Sequence, residues 1–224
     1  MVRLQFLQKD SFKIKLREIF LIFLLFFLIE FYGTKIFYTF SILEKTFILR
    51  ILDLLVICLF FLFAKKTSFF KLNYLLHGLK YGIIISACTG ILFFIIYFIL
   101  LFFFSLNILL FFSSDNLFKG KDLIFLVLTG VIAGPIAEEF FFRGILYNYI
   151  RQNQKIIFSI ITSSAIFALF HFKGGNMPAV QFAGGILFAC SYEFTKNIFV
   201  PCIIHITGNL FIFSVPYLLK TGFF

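Results

Sequence analysis

Apolar runs, each close to the length of a membrane crossing, alternate along the chain with short clusters of Lys, Arg, Asn, Ser and Asp. A bilayer core about 30 Å thick requires about 20 mostly apolar helical residues. Runs of that kind stand at roughly 19–34, 46–64, 81–112, 122–148, 155–172, 177–195 and 198–219. They predict an all-α, polytopic transmembrane helix bundle of about seven spans. The third run is long enough for a tilted helix or a helix with a re-entrant piece, and Ile36–Leu43 could extend the second, giving a range of six to eight. The first run follows a long basic stretch and leads into Glu30, Phe31 and Tyr32 instead of a small-residue cleavage site. It predicts a retained span, not a signal peptide.

Composition strengthens the membrane reading. With 62% hydrophobic and only 13% charged residues, no water-soluble fold could bury so much apolar side chain. The 40 Phe, beside no Trp, read mainly as lipid-facing surface. Residues 1–224 read as one integral membrane domain. A polar break at 113–122 separates a plain N-terminal half from a motif-bearing peptidase core at 122–212.

A net charge of +10 would suggest nucleic acid as partner of a soluble protein. Here the bases fall in loops: Arg3, Lys9, Lys13, Lys15 and Arg17, then Lys65, Lys66, Lys71 and Lys80, then Arg151 and Lys155. The positive-inside rule puts these loops, and the N-terminus, on the cytoplasmic side of the cell membrane. The lipid bilayer, and no nucleic acid, is the expected partner of the charge. Cys58, Cys88, Cys190 and Cys202 show no metal-binding spacing and read as small buried hydrophobes. Gly130, Ala133, Gly134, Ala137, Gly144, Gly174, Gly175, Gly184 and Gly185 concentrate in the second half, where small residues let helices approach closely.

Against this background the polar residues inside apolar runs stand out, because an ionisable group in hydrocarbon must find a partner or perform chemistry. In the segment Gly134–Gly144, Pro135 should kink the helix a turn before the acids. Glu139 and Arg143 are spaced i and i+4, which stacks them on one face as an ion pair. Glu138 points about 100° around the helix from Glu139. It is left with a carboxylate the pair does not neutralise, unless all three form one salt-bridge cluster. His171 closes the run 164–170 and could by itself be an interfacial histidine at a helix end. His205 and Asn209 are again i and i+4, on a helix beginning near Asn197 and bent at Pro201. They can either donate two hydrogen bonds to one point, as an oxyanion requires, or pack helices together.

The ordered patterns Glu138-Glu139-x-x-x-Arg143, Phe167-x-x-x-His171 and Asn197-x-x-x-Pro201-x-x-x-His205-x-x-x-Asn209 resemble the CAAX-protease and bacteriocin-processing (Abi) family of intramembrane peptidases. The likeness covers roughly 122–212. It implies a peptide or protein substrate, Glu138 as the general base that activates a water, and His171 helping to hold that water. His205 and Asn209 would stabilise the tetrahedral oxyanion, while Glu139 and Arg143 would be structural or orienting. Where a second glycine is expected after Gly185, Ala189 stands. A Glu with two His also suits catalytic zinc, but no His-Glu-x-x-His occurs and the resemblance favours a metal-free glutamic endopeptidase with no cofactor. A non-catalytic immunity, transport or scaffold protein is the alternative class.

Helix rise sets one further expectation. A span ending at Asn148 puts Glu138 and His205 about 12–15 Å from the cytoplasmic face, whereas His171 lies about 24 Å along its own helix from Lys155. Joining the three therefore requires that helix to tilt strongly or to begin outside the membrane.

Overall fold

The computed structural model describes residues 13–64, 71–112, 117–172 and 178–220. These residues form seven long helices: α1 (Leu16–Ile36), α2 (Ile42–Phe63), α3 (Leu72–Phe104), α4 (Gly120–Asn153), α5 (Ile156–Phe170), α6 (Ala179–Thr195) and α7 (Phe199–Lys220). A short 3-10 turn, Ile108–Phe112, follows α3. Five of the helices, α1 to α4 and α7, are long and apolar enough to cross a membrane. The protein is a multi-pass helical membrane bundle.

Several boundaries differ from the hydropathy pattern, each for a local reason. Ile36–Leu43 does not lengthen the second span. Ser41 stops it by capping α2: its Oγ accepts from Glu44 N at 3.3 Å, and Glu44 Oε2 accepts from Ser41 N at 2.9 Å. Helix α3 begins at Leu72, before the apolar run, because its first turns hold Asn73, His77 and Lys80, which are compatible with a helix emerging from the hydrocarbon. It ends at Ser105 in the left-handed region (φ 52°), so the stretch to 112 is separate. Helix α7 begins at Phe199, which puts Pro201 in its first turn, where the missing N–H is not needed. The proline within the helix is Pro216, not Pro201.

The antiparallel pair α5/α6 and the parallel pair α3/α7 make the most extensive contacts, and α6 also packs on α7. On α5, Ser159, Ser163 and Ser164 are buried. A Cβ on Gly185 of α6 would stand 3.0 Å from Ser164 Cβ, so the close approach of these helices depends on that glycine. Ala189, one turn on, is fully buried. In the N-terminal half, Arg50 of α2 reaches Glu30 of α1 at 3.2 Å and Asp53 at 2.5 Å, so charges placed among apolar residues are paired.

The phenylalanines divide. Phe20, Phe27, Phe63 and Phe102–Phe104 are exposed, as lipid-facing residues would be. Phe61, Phe141, Phe142, Phe167 and Phe188 are instead buried around the polar residues of α4 and α7. Among the cysteines, Cys202 is buried but Cys58 and Cys88 are exposed, because they fall on outward faces of α2 and α3 where a thiol is apolar enough to meet lipid.

Helix alternation gathers Lys15, Lys71, Arg151, Lys155 and Lys196 at one end of the bundle. There Tyr74 Oη donates to Lys196 O at 3.0 Å, and Arg151 Nε lies 3.6 Å from Glu193 Oε1. At the other end Lys121 pairs with Glu44, and Tyr217 Oη donates to Phe118 O at 2.7 Å. Arg3, Lys9, Lys65, Lys66, Gly174 and Gly175 lie outside the described residues.

Candidate active site

Helix α4 carries the acids, and it is not a regular α-helix. Two π-helical stretches, Val127–Ala133 and Phe142–Tyr147, flank the α-helical turns Gly134–Phe141. Pro135 falls at the start of those turns, immediately after the first π stretch. The widened turns replace a simple proline kink, and such turns recur at functional sites.

Glu139 and Arg143 face the interior, and both side chains are fully buried. Arg143 Nη1 donates to Glu139 Oε1 at 3.1 Å, and Nη2 donates to Gly185 O on α6 at 2.9 Å. The guanidinium also lies 4.7 Å from the ring centre of Phe167 and 5.3 Å from that of Phe188. These aromatic faces surround a cation that could not be solvated. Glu139 Oε1 takes a second hydrogen bond, from His205 Nδ1 of α7 at 2.9 Å. Phe188 stacks on the His205 ring, with centres 4.5 Å apart and planes at 20°.

Glu138, one residue away, keeps 27% of its side chain exposed. Its Oε2 lies 3.6 Å from His171 Nε2 and 3.9 Å from His205 Nε2. Both gaps exceed a direct hydrogen bond and match a separation that water bridges. His171 caps the C-terminus of α5, and its Nδ1 is 2.9 Å from Phe167 O. A carbonyl only accepts, so Nδ1 carries the hydrogen and, in the neutral ring, Nε2 presents its lone pair toward Glu138. Asn209, one turn beyond His205, donates through Nδ2 to Gly130 O at 2.8 Å. The structure thus brings Glu138, His171 and His205 together around one oxygen, with Asn209 on the adjoining turn of α7. Asn197 stands apart, joining the α6–α7 turn to α3 by donating to Tyr74 O at 2.7 Å.

The depth mismatch disappears because α4 continues to Asn153, five residues past Asn148. Glu138 is then 15 residues from the end of α4, and His171 is 16 residues from Lys155. At about 1.5 Å per residue the two depths agree without strong tilt. His205 is only six residues into α7, and the α6–α7 turn packs beside Gly144, where Ile198 Cδ1 would meet an added Cβ at 4.0 Å.

Residues 120–211 match the family model described as type II CAAX prenyl endopeptidase Rce1-like. This segment is similar to the CAAX-protease family. Over 95 residues the chain is 41% identical to the membrane-embedded CAAX protease MroQ of Staphylococcus aureus, a stretch covering 40% of this chain and 38% of MroQ. Over 87 residues it is 32% identical to YdiL of Bacillus subtilis, named as a putative membrane peptidase, covering 39% and 35%. The chain therefore matches little more than a third of the length of these relatives. No solved structure matches it significantly.

Within the matched segment lies a polar network that motif reading passed over. Asn148 Nδ2 lies 3.1 Å from Arg143 O, 2.9 Å from Gly144 O and 2.8 Å from Tyr192 Oη. Tyr147 Oη donates to Glu193 Oε2 at 2.8 Å, and Lys196 also pairs with Glu193. Glu193, an acid inside an apolar run, was the available signal for this network.

Proposed function

We propose that this protein is an intramembrane endopeptidase that hydrolyses a peptide bond of a peptide or protein substrate with a Glu138-activated water. The observation that carries the reading is the convergence of Glu138 Oε2 with the Nε2 atoms of His171 and His205, at 3.6 and 3.9 Å, on a carboxylate still partly open. The match of 120–211 to a prenyl endopeptidase family supports it.

In this mechanism a water between Glu138 and His171 gives one proton to Glu138, while its other hydrogen is held by the His171 Nε2 lone pair. The water oxygen attacks the scissile carbonyl carbon. Glu138 then returns the proton to the departing amine as the C–N bond breaks. The carbonyl oxygen becomes an oxyanion, which His205 and Asn209 stabilise. Because the Glu139 carboxylate accepts from His205 Nδ1, Nε2 donates only when the ring is an imidazolium. Glu138 and Glu139 face the two nitrogens of that ring from opposite sides. Glu139 and Arg143 act as orienting residues. The route uses no metal. The basic end of the bundle, with the N-terminus, faces the cytoplasm by the positive-inside rule.

The test is cleavage of a peptide library by purified protein in detergent, read by mass spectrometry. Wild type is expected to produce defined fragments and Glu138→Gln none. Equal cleavage by both, or by neither, overturns the assignment.

A further inference from the structure

Two features of α4 bear on Asn209 without belonging to the acidic motif: the π stretch at Val127–Ala133 and the proline that follows it. In an α-helix the Gly130 carbonyl would accept from the N–H of residue 134. Here the Gly134 N–H goes to Thr129 O, the i to i−5 pairing of a π turn. In that register the donor for Gly130 O would be residue 135, which is a proline and has no N–H. The Gly130 carbonyl is thus released from the ladder twice over, and Asn209 Nδ2 of α7 occupies it at 2.8 Å.

The packing fits this arrangement. A Cβ on Gly134 would stand 2.8 Å from Thr129 O, so the π pairing depends on glycine there. A Cβ on Gly130 would stand 3.0 Å from Phe213 of α7, so its absence lets α7 come close enough for Asn209 to reach. The same solution recurs at the second π stretch, where the Asn148 amide reaches the carbonyls of Arg143 and Gly144.

We infer that Pro135 is a positioning residue for Asn209: by leaving the Gly130 carbonyl without a backbone donor, it gives the Asn209 amide one fixed acceptor. A carbonyl can only accept, so the amide must turn its NH2 group, not its oxygen, toward Gly130. One amide hydrogen is then committed to Gly130, and the second stays available as a donor. This rests on the proposed function for what the second hydrogen does. The link from Pro135 through Gly130 to Asn209 is independent of it.

The experiment uses the full chain in detergent with 13C-carbonyl glycine and 15N-valine. Gly130–Val131 is the single Gly–Val step in the sequence, so the Gly130 carbonyl gives one selected resonance. In Asn209→Ala that resonance should move to lower chemical shift as its hydrogen bond is lost. In Pro135→Ala the backbone N–H gained at that position competes for the carbonyl, and the Asn209 side-chain amide signal should move. An unchanged carbonyl in Asn209→Ala, or an unchanged amide in Pro135→Ala, overturns the inference whether or not the protein cleaves peptides.

Kinetics supply the second readout. The Pro135→Ala kcat should fall, at constant KM, toward the Asn209→Ala value, which loss of one oxyanion donor puts about 10²-fold below wild type. Pro135→Ala/Asn209→Ala should be no slower than Asn209→Ala alone. Multiplicative losses would mean that Pro135 acts elsewhere. Absence of cleavage by wild type would defeat the proposed function while the two resonances still decide the positioning role.

Discussion

A single oxygen, Glu139 Oε1, receives Arg143 Nη1 at 3.1 Å and His205 Nδ1 at 2.9 Å. The ion pair inside α4 and the histidine of α7 are therefore one unit. Glu139 fixes the tautomer and direction of the ring that faces Glu138, while Arg143 balances its charge.

Removing either member of that pair leaves a buried charge without its partner. Glu139→Ala and Arg143→Ala should each lower stability by about 3–5 kcal/mol. Thermal melting in detergent checks this, and the double variant should show a coupling energy, since the two side chains touch. Unchanged melting of both single variants would remove the structural role.

Glu138→Gln should behave in the opposite way. The carboxylate is partly exposed, makes no ion pair with Arg143 and keeps its shape as an amide, so melting should stay at the wild-type value. Turnover should fall by about 10²–10⁴, the contribution of a positioned general base. If Glu138→Gln cleaved normally while Glu139→Gln were inactive, the base would be the other glutamate.

Glu139 and Arg143 were legible in the sequence because the i, i+4 spacing is a property of any α-helix, and the order of the three motifs pointed to the protease family. The two π stretches were not. Val127–Ala133 stays within the apolar pattern, and the one charge in Phe142–Tyr147, Arg143, fits the i, i+4 spacing of an ordinary α-helix, so an inserted residue changes no visible periodicity. The extension of α4 through Arg151 and Asn153 was missed for a related reason: a polar tail looks like a loop when hydropathy is the only guide. Asn148 was read as a boundary, whereas it holds backbone carbonyls inside the helix. The tie from Asn209 to Gly130 involves a main-chain oxygen, which no side-chain pattern records.

Asn148→Ala should therefore destabilise the fold without touching the chemistry. It removes donors from the Arg143 and Gly144 carbonyls and the Tyr192 hydroxyl, and a partner left unsatisfied costs about 1–3 kcal/mol. The expected result is a lower melting temperature with kcat per folded molecule unchanged. A selective loss of kcat would place Asn148 within the reaction.

The imidazole Nε2 atoms that face Glu138 are also the atoms a zinc ion would use, so metal dependence has to be decided by assay. Activity should persist in chelator, purified protein should carry no stoichiometric zinc, and His205→Ala should abolish turnover without altering metal content. Activity lost in chelator and restored by added zinc would replace the mechanism and leave the peptidase assignment standing.

Helices α5 and α6, of 15 and 17 residues, run side by side for only about 22–25 Å. A hydrocarbon layer about 30 Å thick exceeds that length, a mismatch that local thinning of the bilayer or snorkelling of flanking side chains relieves. Thinning on that flank of the molecule would bring the headgroup region toward the level of His171. Under the proposed function, a peptide and a water molecule would then have a shorter passage through oil on this side than on the side of α3, whose 33 residues extend about 50 Å. A bilayer deformed in this way would itself be part of the entrance to the proposed site.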